Sequence, residues 1–447
     1  MLRFGTDGVR GVAGTELTVE LVTGLGRVAA RGLVAPGAQV VVGRDTRRSG
    51  PLLVAALAAG LASEGVDVVD VGVLPTPGVA ALCAARGAAG AVVSASHNPF
   101  ADNGVKLLAP GGLKLSDDAE AAIEAELLAA APAQPGRSGL DLGVVGSDPA
   151  AAGWYADHLV AQLGGRSLGG LRVALDCGHG AAAGLAARVF QAAGAEVVAV
   201  LGSAPDGTNI NAGCGATDPG GLAATVVASE ADLGLAFDGD ADRVIAVAAD
   251  GAVVDGDRLL ALFALDLRAA GRLAGDTVVV TVMTNLGFHR AMEAAGIDVA
   301  TVAVGDRNVL AELDAHGWSL GGEQSGHVVF RDLATTGDGM LSGLMLADLV
   351  VRSGVPLARA AAAVMTRMPQ VLRNVRVADR QGLEAAEEVW DAVDSASAAL
   401  AGRGRVLLRP SGTEKLVRVM VEAPSEQEAS AVAAALVEVV EGTLGAP

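Results

Sequence analysis

One pattern occurs three times in this 447-residue chain and leaves few folds open to it. A short apolar run that reads as a strand leads into a polar loop, a helical run, a glycine and a second apolar run. The first copy is Gln39–Val42, a helix over Pro51–Ser63, Gly65 and Val66–Val71. The second is Leu171–Leu175, the loop Asp176-Cys177-Gly178-His179-Gly180, a helix through Gln191, Gly194 and Ala195–Val200. The third is Thr277–Val282, Met283-Thr284-Asn285, a helix through Glu293, Gly296 and Ile297–Val302. Two positions past each glycine stands an acid, Asp67, Glu196 and Asp298. Strand–helix–strand units imply parallel pairing through right-handed crossovers, and a glycine sits where a left-handed helix cap is easiest. The three glycines are 129 and 102 positions apart, too far and too uneven for a solenoid repeat. The pattern predicts three related α/β domains with mixed, mainly parallel sheets.

After Pro369 the pattern changes. A charged helical run over Gln381–Leu400 precedes strands at Arg405–Arg409 and Leu416–Glu422, and Ser425 with Glu428 forms a capping box before a last helix. This predicts a smaller C-terminal α+β domain and boundaries at 1–150, 151–254, 255–368 and 369–447. With 51% hydrophobic but only 2% aromatic residues, the cores must be built from Ala, Val and Leu. The net charge of −19 argues against a nucleic-acid surface or an anionic membrane as partner, so an anionic substrate needs a local cluster of cations. Cys83, Cys177 and Cys214 have neither disulfide-framework nor zinc spacing, and the start of the chain has no apolar signal core. The expectation is a soluble cytoplasmic protein.

Five loops carry the polar chemistry. Gly90 to Lys106 ends a buried strand in Ser94-Ala95-Ser96-His97-Asn98-Pro99, placing the Ser96 hydroxyl beside His97 as a proton carrier and near Lys106 as a cation. Open α/β sheets place chemistry at that strand edge. In Asp238-Gly239-Asp240-Ala241-Asp242-Arg243 the alternate spacing turns three carboxylates toward one hard cation. An EF-hand reading fails, because the sixth position is Arg243 and the twelfth is Ala249, and oxygen-only ligands near a phosphoryl group suit Mg²⁺. Gly322-Glu323-Gln324-Ser325-Gly326-His327 offers a carboxylate and a hydroxyl to sugar hydroxyls and His327 as a proton carrier. Arg409-Pro410-Ser411-Gly412-Thr413 with Arg418 reads as a phosphate cradle. The opening Gly5-Thr6-Asp7-Gly8-Val9-Arg10-Gly11 offers Arg10 as a phosphate fork. Gly305-Asp306-Arg307 is a further phosphate or hinge contact, and the basic loop Gly43–Gly50 reads as structural, since its arginines lie beside Asp45.

These motifs, in this order along essentially the whole chain, resemble the α-D-phosphohexomutase family, and the opening segment with Gln324 resembles its glucosamine branch. The resemblance implies that Ser96 carries a phosphoryl group and that Asp238, Asp240 and Asp242 hold Mg²⁺ together with it. It makes Arg10 and Arg243 stabilisers of the transferring charge, and Lys106 and His327 the proton-handling groups. Glu323 and Ser325 then read sugar hydroxyls, and Arg409, Ser411, Gly412, Thr413 and Arg418 hold the phosphate that is not reacting. The implied reaction interconverts glucosamine 6-phosphate and glucosamine 1-phosphate through a sugar bisphosphate. It would supply amino-sugar nucleotides and cell-wall precursors, with the C-terminal domain as a lid. A homodimer stays open.

The chain departs from the family pattern at Lys415, which loosens the phosphate loop or adds a cation, at Asn308, and at Asp176–Gly180, to which no role is assigned. The same chemistry on mannose or glucose phosphates is the nearest alternative. A silent phosphosugar-binding protein would not need Ser96, and a phosphatase would use Asp238 or Asp240 as nucleophile.

Overall fold

The computed structural model describes residues 4–5, 8–34, 37–129, 137–379, 381–411 and 415–445. They cluster into two compact units, 1–282 with 297–362, and 283–296 with 363–447.

The first unit is built on three mixed sheets. In the N-terminal sheet, Gln39–Arg44 pairs in parallel with both Asp67–Val73 and Ala89–Val93. Antiparallel pairing begins where Asp102–Ala109 joins Ala89–Val93 and continues to Gly8–Val12. Side chains alternate across this sheet. Val40, Val42, Ala89, Ala91 and Val93 pack with the helices Val19–Leu33, Gly50–Ser63 and Asp117–Leu128. On the other face, Gly43 and Gly90 lie against Val79 and Cys83 of the helix Thr76–Arg86. The strand Ala89–Val93 is buried along its whole length because both faces are covered.

The second sheet sets Arg172–Asp176 between parallel Glu196–Leu201 and Leu233–Phe237, and extends antiparallel through Val244–Ala248 to Val253–Val254. The third has Thr277–Thr281 parallel to Asp298–Val302 and Leu320–Gly322, with Val328–Phe330 antiparallel at its edge. The glycine of each repeat has positive φ, 79° at Gly65, 97° at Gly194 and 65° at Gly296. In each of these sheets parallel strands run from one edge to the centre and the antiparallel strands lie at the other edge, and the serine, aspartate and Glu323 loops each leave a sheet at a strand end.

The second unit has a three-stranded antiparallel sheet with Leu416–Glu422 between Gln370–Arg376 and Arg405–Pro410. It packs against Glu387–Leu400 and Glu426–Leu444. The helix expected over Gln381–Leu400 divides into a 3-10 turn, Gln381–Ala385, and the α-helix, because Ala386 at ψ 76° leaves helical geometry. Ser425 Oγ accepts from the Glu428 N–H at 3.2 Å, closing that helix start as the sequence predicts. The segment Met283–Gly296, read from sequence as part of the third repeat, clusters here. Asn285 Nδ2 donates to Glu422 Oε1 at 2.8 Å and to Met368 O at 3.0 Å. Among the described residues no single helix is long and apolar enough to cross a membrane.

With so few aromatic residues, close backbone approach does part of the packing. A Cβ on Gly60 would lie 2.2 Å from Thr23 O, and one on Gly26 would lie 2.5 Å from Leu57 O. Gly32, in the same helix as Gly26, has only an ordinary 3.6 Å contact with Ile123. Gly60→Ala should therefore cost roughly 1–3 kcal/mol through overpacking against rigid backbone, despite the better helix propensity of alanine. Thermal unfolding should show a lower midpoint for Gly60→Ala and an unchanged or higher one for Gly32→Ala. Equal midpoints would contradict this account of the helix crossing.

Candidate active site

The loop after Ala89–Val93 is shaped from inside by a buried ion pair. Arg47 and Asp45 are both fully buried, with Nε to Oδ2 at 2.9 Å. Arg47 Nη1 and Nη2 donate to the carbonyls of Ser96 at 3.0 Å, Asn98 at 2.8 Å and Asp102 at 3.1 Å, and to that of Pro99. Asp45 Oδ2 also accepts from Ser94 Oγ at 2.6 Å, and Ser94 Oγ accepts from the Ser96 N–H at 3.0 Å. Burial pushes the Asp45 carboxyl up, against the lowering by Arg47 and Ser94. Ser96 is held at φ 49°, a left-handed conformation that costs a non-glycine residue roughly 1–2 kcal/mol.

That conformation aims Ser96 Oγ at Asp238 Oδ2, to which it donates at 2.6 Å. Asp238, Asp240 and Asp242 follow the strand Leu233–Phe237 and are all buried, and each offers an oxygen within 4.8 Å of the others. Lys106 Nζ, on the strand Asp102–Ala109 of the N-terminal sheet, lies 2.9 Å from Asp240 Oδ2 and 3.4 Å from Asp242 Oδ2. Burial, then the charges of Asp242 and Asp240, hold the Asp238 carboxyl well above its usual range. Burial acts the same way on Asp242, but Lys106 and His327 outweigh it and hold that carboxyl well below its usual range. Asp240 Oδ1 and Asp242 Oδ1 are buried without a hydrogen-bond donor. Buried carboxylate oxygens left without donors fit a metal ion, which would also relieve the repulsion that raises Asp238.

His97 Nδ1 lies 3.4 Å from Ser96 Oγ but 3.1 Å from Arg243 Nη1. Burial, then Arg243 and Arg10, lower its pKa to about 4, so the ring is neutral near pH 7. Arg10 lies on Gly8–Val12 opposite Gly104. The loop Gly322–His327 joins the same cluster: Val244 N–H donates to Gly326 O at 3.0 Å, and Gly256 N–H to Gln324 O at 3.1 Å. His327 is buried, with Nδ1 3.7 Å from Asp242 and Nε2 3.8 Å from Asp306. Burial lowers its pKa, but the bond to Asp242 and the charges of Asp242, Asp306 and Glu323 win and lift it to about 9. Glu323 accepts from Gly305 N at 3.1 Å and from Ser325 Oγ at 3.3 Å. The structure thus brings Ser96, His97, Lys106, Arg243, His327 and the three aspartates into one cluster, with Glu323 and Ser325 in the loop attached to it.

In the second unit Arg409 and Arg418 face each other across two strands, and Ser411 is buried with its N–H on Leu416 O at 2.8 Å. Gly412 and Thr413 lie outside the described residues. Arg307 is a tie between domains of the first unit, pairing with Asp117 and, at 2.6 Å, with Glu120. Asn308 closes its own turn on Val304 O at 3.1 Å.

Sequence reasoning missed Thr76. Its N–H donates to Asp240 O at 3.0 Å and its hydroxyl to Asp240 Oδ2 at 2.6 Å. It stands at the start of a helix far from every motif, and nothing local marks it.

A strained serine bonded to one of three clustered aspartates, ringed by cations, is suited to metal-assisted phosphoryl transfer. Four domain descriptions match the chain. They are phosphoglucomutase/phosphomannomutase alpha/beta/alpha domains I, II and III at residues 1–133, 154–251 and 255–368, and the C-terminal domain at 372–439. The chain belongs to the phosphoglucomutase/phosphomannomutase family. It is 54% identical over 425 residues to a phosphoglucosamine mutase of Rhodococcus opacus, covering 94% of this chain and 95% of that one. It is 53% identical over 455 residues to one of Frankia alni, covering 99% of each. A crystal structure of a phosphoglucomutase/phosphomannomutase family protein from Burkholderia thailandensis superposes with a TM-score of 0.80 at 28% identity, covering 98% of this chain and 97% of that one.

Thr76→Val keeps the shape and removes the hydroxyl that orients Asp240. Loss of such a supporting bond should weaken divalent-metal binding by roughly 10-fold or more. A Mn²⁺ titration, with the metal-free melting temperature as control, should show weaker binding and little change in melting. Unaltered affinity would contradict the role given to Thr76.

Proposed function

We propose that this chain interconverts glucosamine 6-phosphate and glucosamine 1-phosphate through a phosphorylated Ser96 and a glucosamine bisphosphate. The observation that carries the proposal is the 2.6 Å bond from the Ser96 hydroxyl to Asp238, made from a strained backbone at the mouth of a three-aspartate cluster. The substrate rests on the more than 50% identity to phosphoglucosamine mutases over nearly the whole chain.

Asp238, Asp240 and Asp242, with the phosphate on Ser96, are the proposed ligands of Mg²⁺. When bound, the ion supplies positive charge to the phosphoryl oxygens. Arg243 and Arg10 supply further positive charge to the same oxygens as they transfer. His97, neutral and accepting from Arg243, orients that guanidinium, and Asp238 is the closer acceptor for the serine hydroxyl. Lys106 and His327 carry the protons that the sugar hydroxyls lose and regain, and His327 enters protonated because Asp242 and Asp306 hold it so.

Glu323 and Ser325 read the sugar, while Arg409, Ser411, Gly412, Thr413 and Arg418 hold the phosphate that is not reacting. In the forward direction the Ser96 Oγ–P bond breaks as the sugar O1–P bond forms. The bisphosphate then turns end for end, and the phosphoryl group on O6 passes to Ser96.

Phosphorus NMR of the protein with Mg²⁺ and a trace of hexose bisphosphate should show the 1-phosphate growing fastest from glucosamine 6-phosphate, against glucose and mannose 6-phosphates. Ser96→Ala should abolish turnover. Equal or better turnover of the glucose or mannose phosphate would overturn the substrate. Full activity of Ser96→Ala would overturn the mechanism.

A further inference from the structure

Ser96 does not hold its own conformation. A left-handed non-glycine residue persists only where its surroundings over-determine it. Here the N–H is held by Ser94 Oγ at 3.0 Å, and the carbonyl by Arg47 Nη2 at 3.0 Å and Asn211 Nδ2 at 2.8 Å. Ser94 and Arg47 belong to the same domain as Ser96. Asn211 reaches across from the second α/β domain, and its amide also donates to Asn98 O at 3.2 Å.

Asn211 is itself braced. It sits at φ 58°, and its N–H donates to Gly178 O at 2.8 Å. The Asp176 carboxylate in turn accepts from Gly178 N at 3.0 Å and Gly215 N at 2.8 Å, tying down both flanks of the loop. Two carbonyls facing one amide fix its orientation, since a flipped amide would set oxygen against oxygen. The amide keeps that orientation although Asn211 Oδ1 is buried without a hydrogen-bond donor. A Cβ on Gly239 would lie 2.5 Å from Ser96 O and 3.0 Å from Asn211 Nδ2, so the contact is already close-packed.

We propose that Asn211 is a positioning residue for phosphoryl transfer: its amide on the Ser96 carbonyl fixes the backbone rotation that aims Oγ at Asp238. Asn211 bonds to the Ser96 carbonyl, and Ser96 Oγ bonds to Asp238, so its influence runs through the serine backbone. Attack geometry at Ser96 thereby becomes conditional on the second domain being seated against the first. The inference rests on the function proposed above and adds a residue to it.

Asn211→Asp keeps the size and sets a carboxylate oxygen against the two carbonyls, while Asn211→Ala leaves Arg47 as the one side-chain donor on Ser96 O. Misplacement of a nucleophile by about 1 Å costs up to about 100-fold in rate. For Asn211→Asp the expected result is a kcat roughly 10- to 100-fold lower, KM for glucosamine 6-phosphate within about 2-fold, and melting within about 2 °C. Phosphorylation of dephosphorylated Ser96 by a hexose 1,6-bisphosphate, followed by intact mass, should slow by the same factor. Asn211→Ala should show the same split with a smaller loss, and it decides the matter if the aspartate variant melts early. Wild-type kcat in both variants, or losses in kcat that follow only the folded fraction, would overturn this inference alone. A wild-type protein that takes no phosphoryl group on Ser96 would overturn the proposed function and this inference with it.

Discussion

The guanidinium of Arg47 is the constraint on which the serine loop depends. Removing one partner of a buried ion pair typically costs about 3–5 kcal/mol, because the other charge is left uncompensated. Here the second charge, Asp45, also anchors Ser94, and Ser94 in turn anchors Ser96. Four carbonyls of the loop end on this one side chain. Those groups point inward, away from water, and need donors that a loop cannot supply to itself. A planar, permanently charged fork with five donors meets that need where lysine would not. The strain at Ser96 is therefore maintained by a network made before any substrate arrives.

The second ingredient is charge density. Three buried carboxylates within 4.8 Å repel one another; burial first, then the charges of Asp242 and Asp240, hold the Asp238 carboxyl high despite Arg243, while Lys106 and the protonated His327 hold that of Asp242 low. The chain as a whole carries −19, so the cations gathered here supply locally the positive charge that an anionic ligand needs. Such an arrangement favours binding of a metal ion together with a phosphate dianion, each offsetting the charge of the other's surroundings. The tie from Lys106 to both Asp240 and Asp242 links the serine domain to the aspartate loop, and His327 between Asp242 and Asp306 links that loop to the third α/β domain.

Much of this was legible in the sequence because strand–loop–helix repeats and short polar motifs are local signals. The aspartate spacing and the last helix cap rest on neighbours within a few residues, and the serine loop and each repeat on a single continuous stretch of the chain. What stayed hidden was the supporting layer, which is assembled across the chain. The sequence sets the arginines of the Gly43–Gly50 loop beside Asp45, but the grip of Arg47 on carbonyls some fifty residues away has no local mark. Thr76 meets Asp240 across 164 positions and Asn211 meets Ser96 across 115, and a lone Thr or Asn carries no signal of its own. The Asp176–Gly180 loop, given no role from sequence, proves to brace Asn211. Adjacency in sequence alone suggests His97 as a proton carrier for Ser96. In space its Nδ1 lies closer to Arg243, and the serine bonds to Asp238.

The central claim is that Ser96, and no neighbouring group, takes the phosphoryl group. The most direct measurement is peptide mapping by mass spectrometry after brief exposure of phosphate-free protein to a hexose 1,6-bisphosphate and Mg²⁺, quenched with excess chelator at neutral pH and mapped with and without a subsequent acid treatment. The account predicts one acid-stable phosphate, on Ser96. A phosphate on Ser94, or an acid-labile one recovered from His97, Asp238 or Asp240, would contradict it.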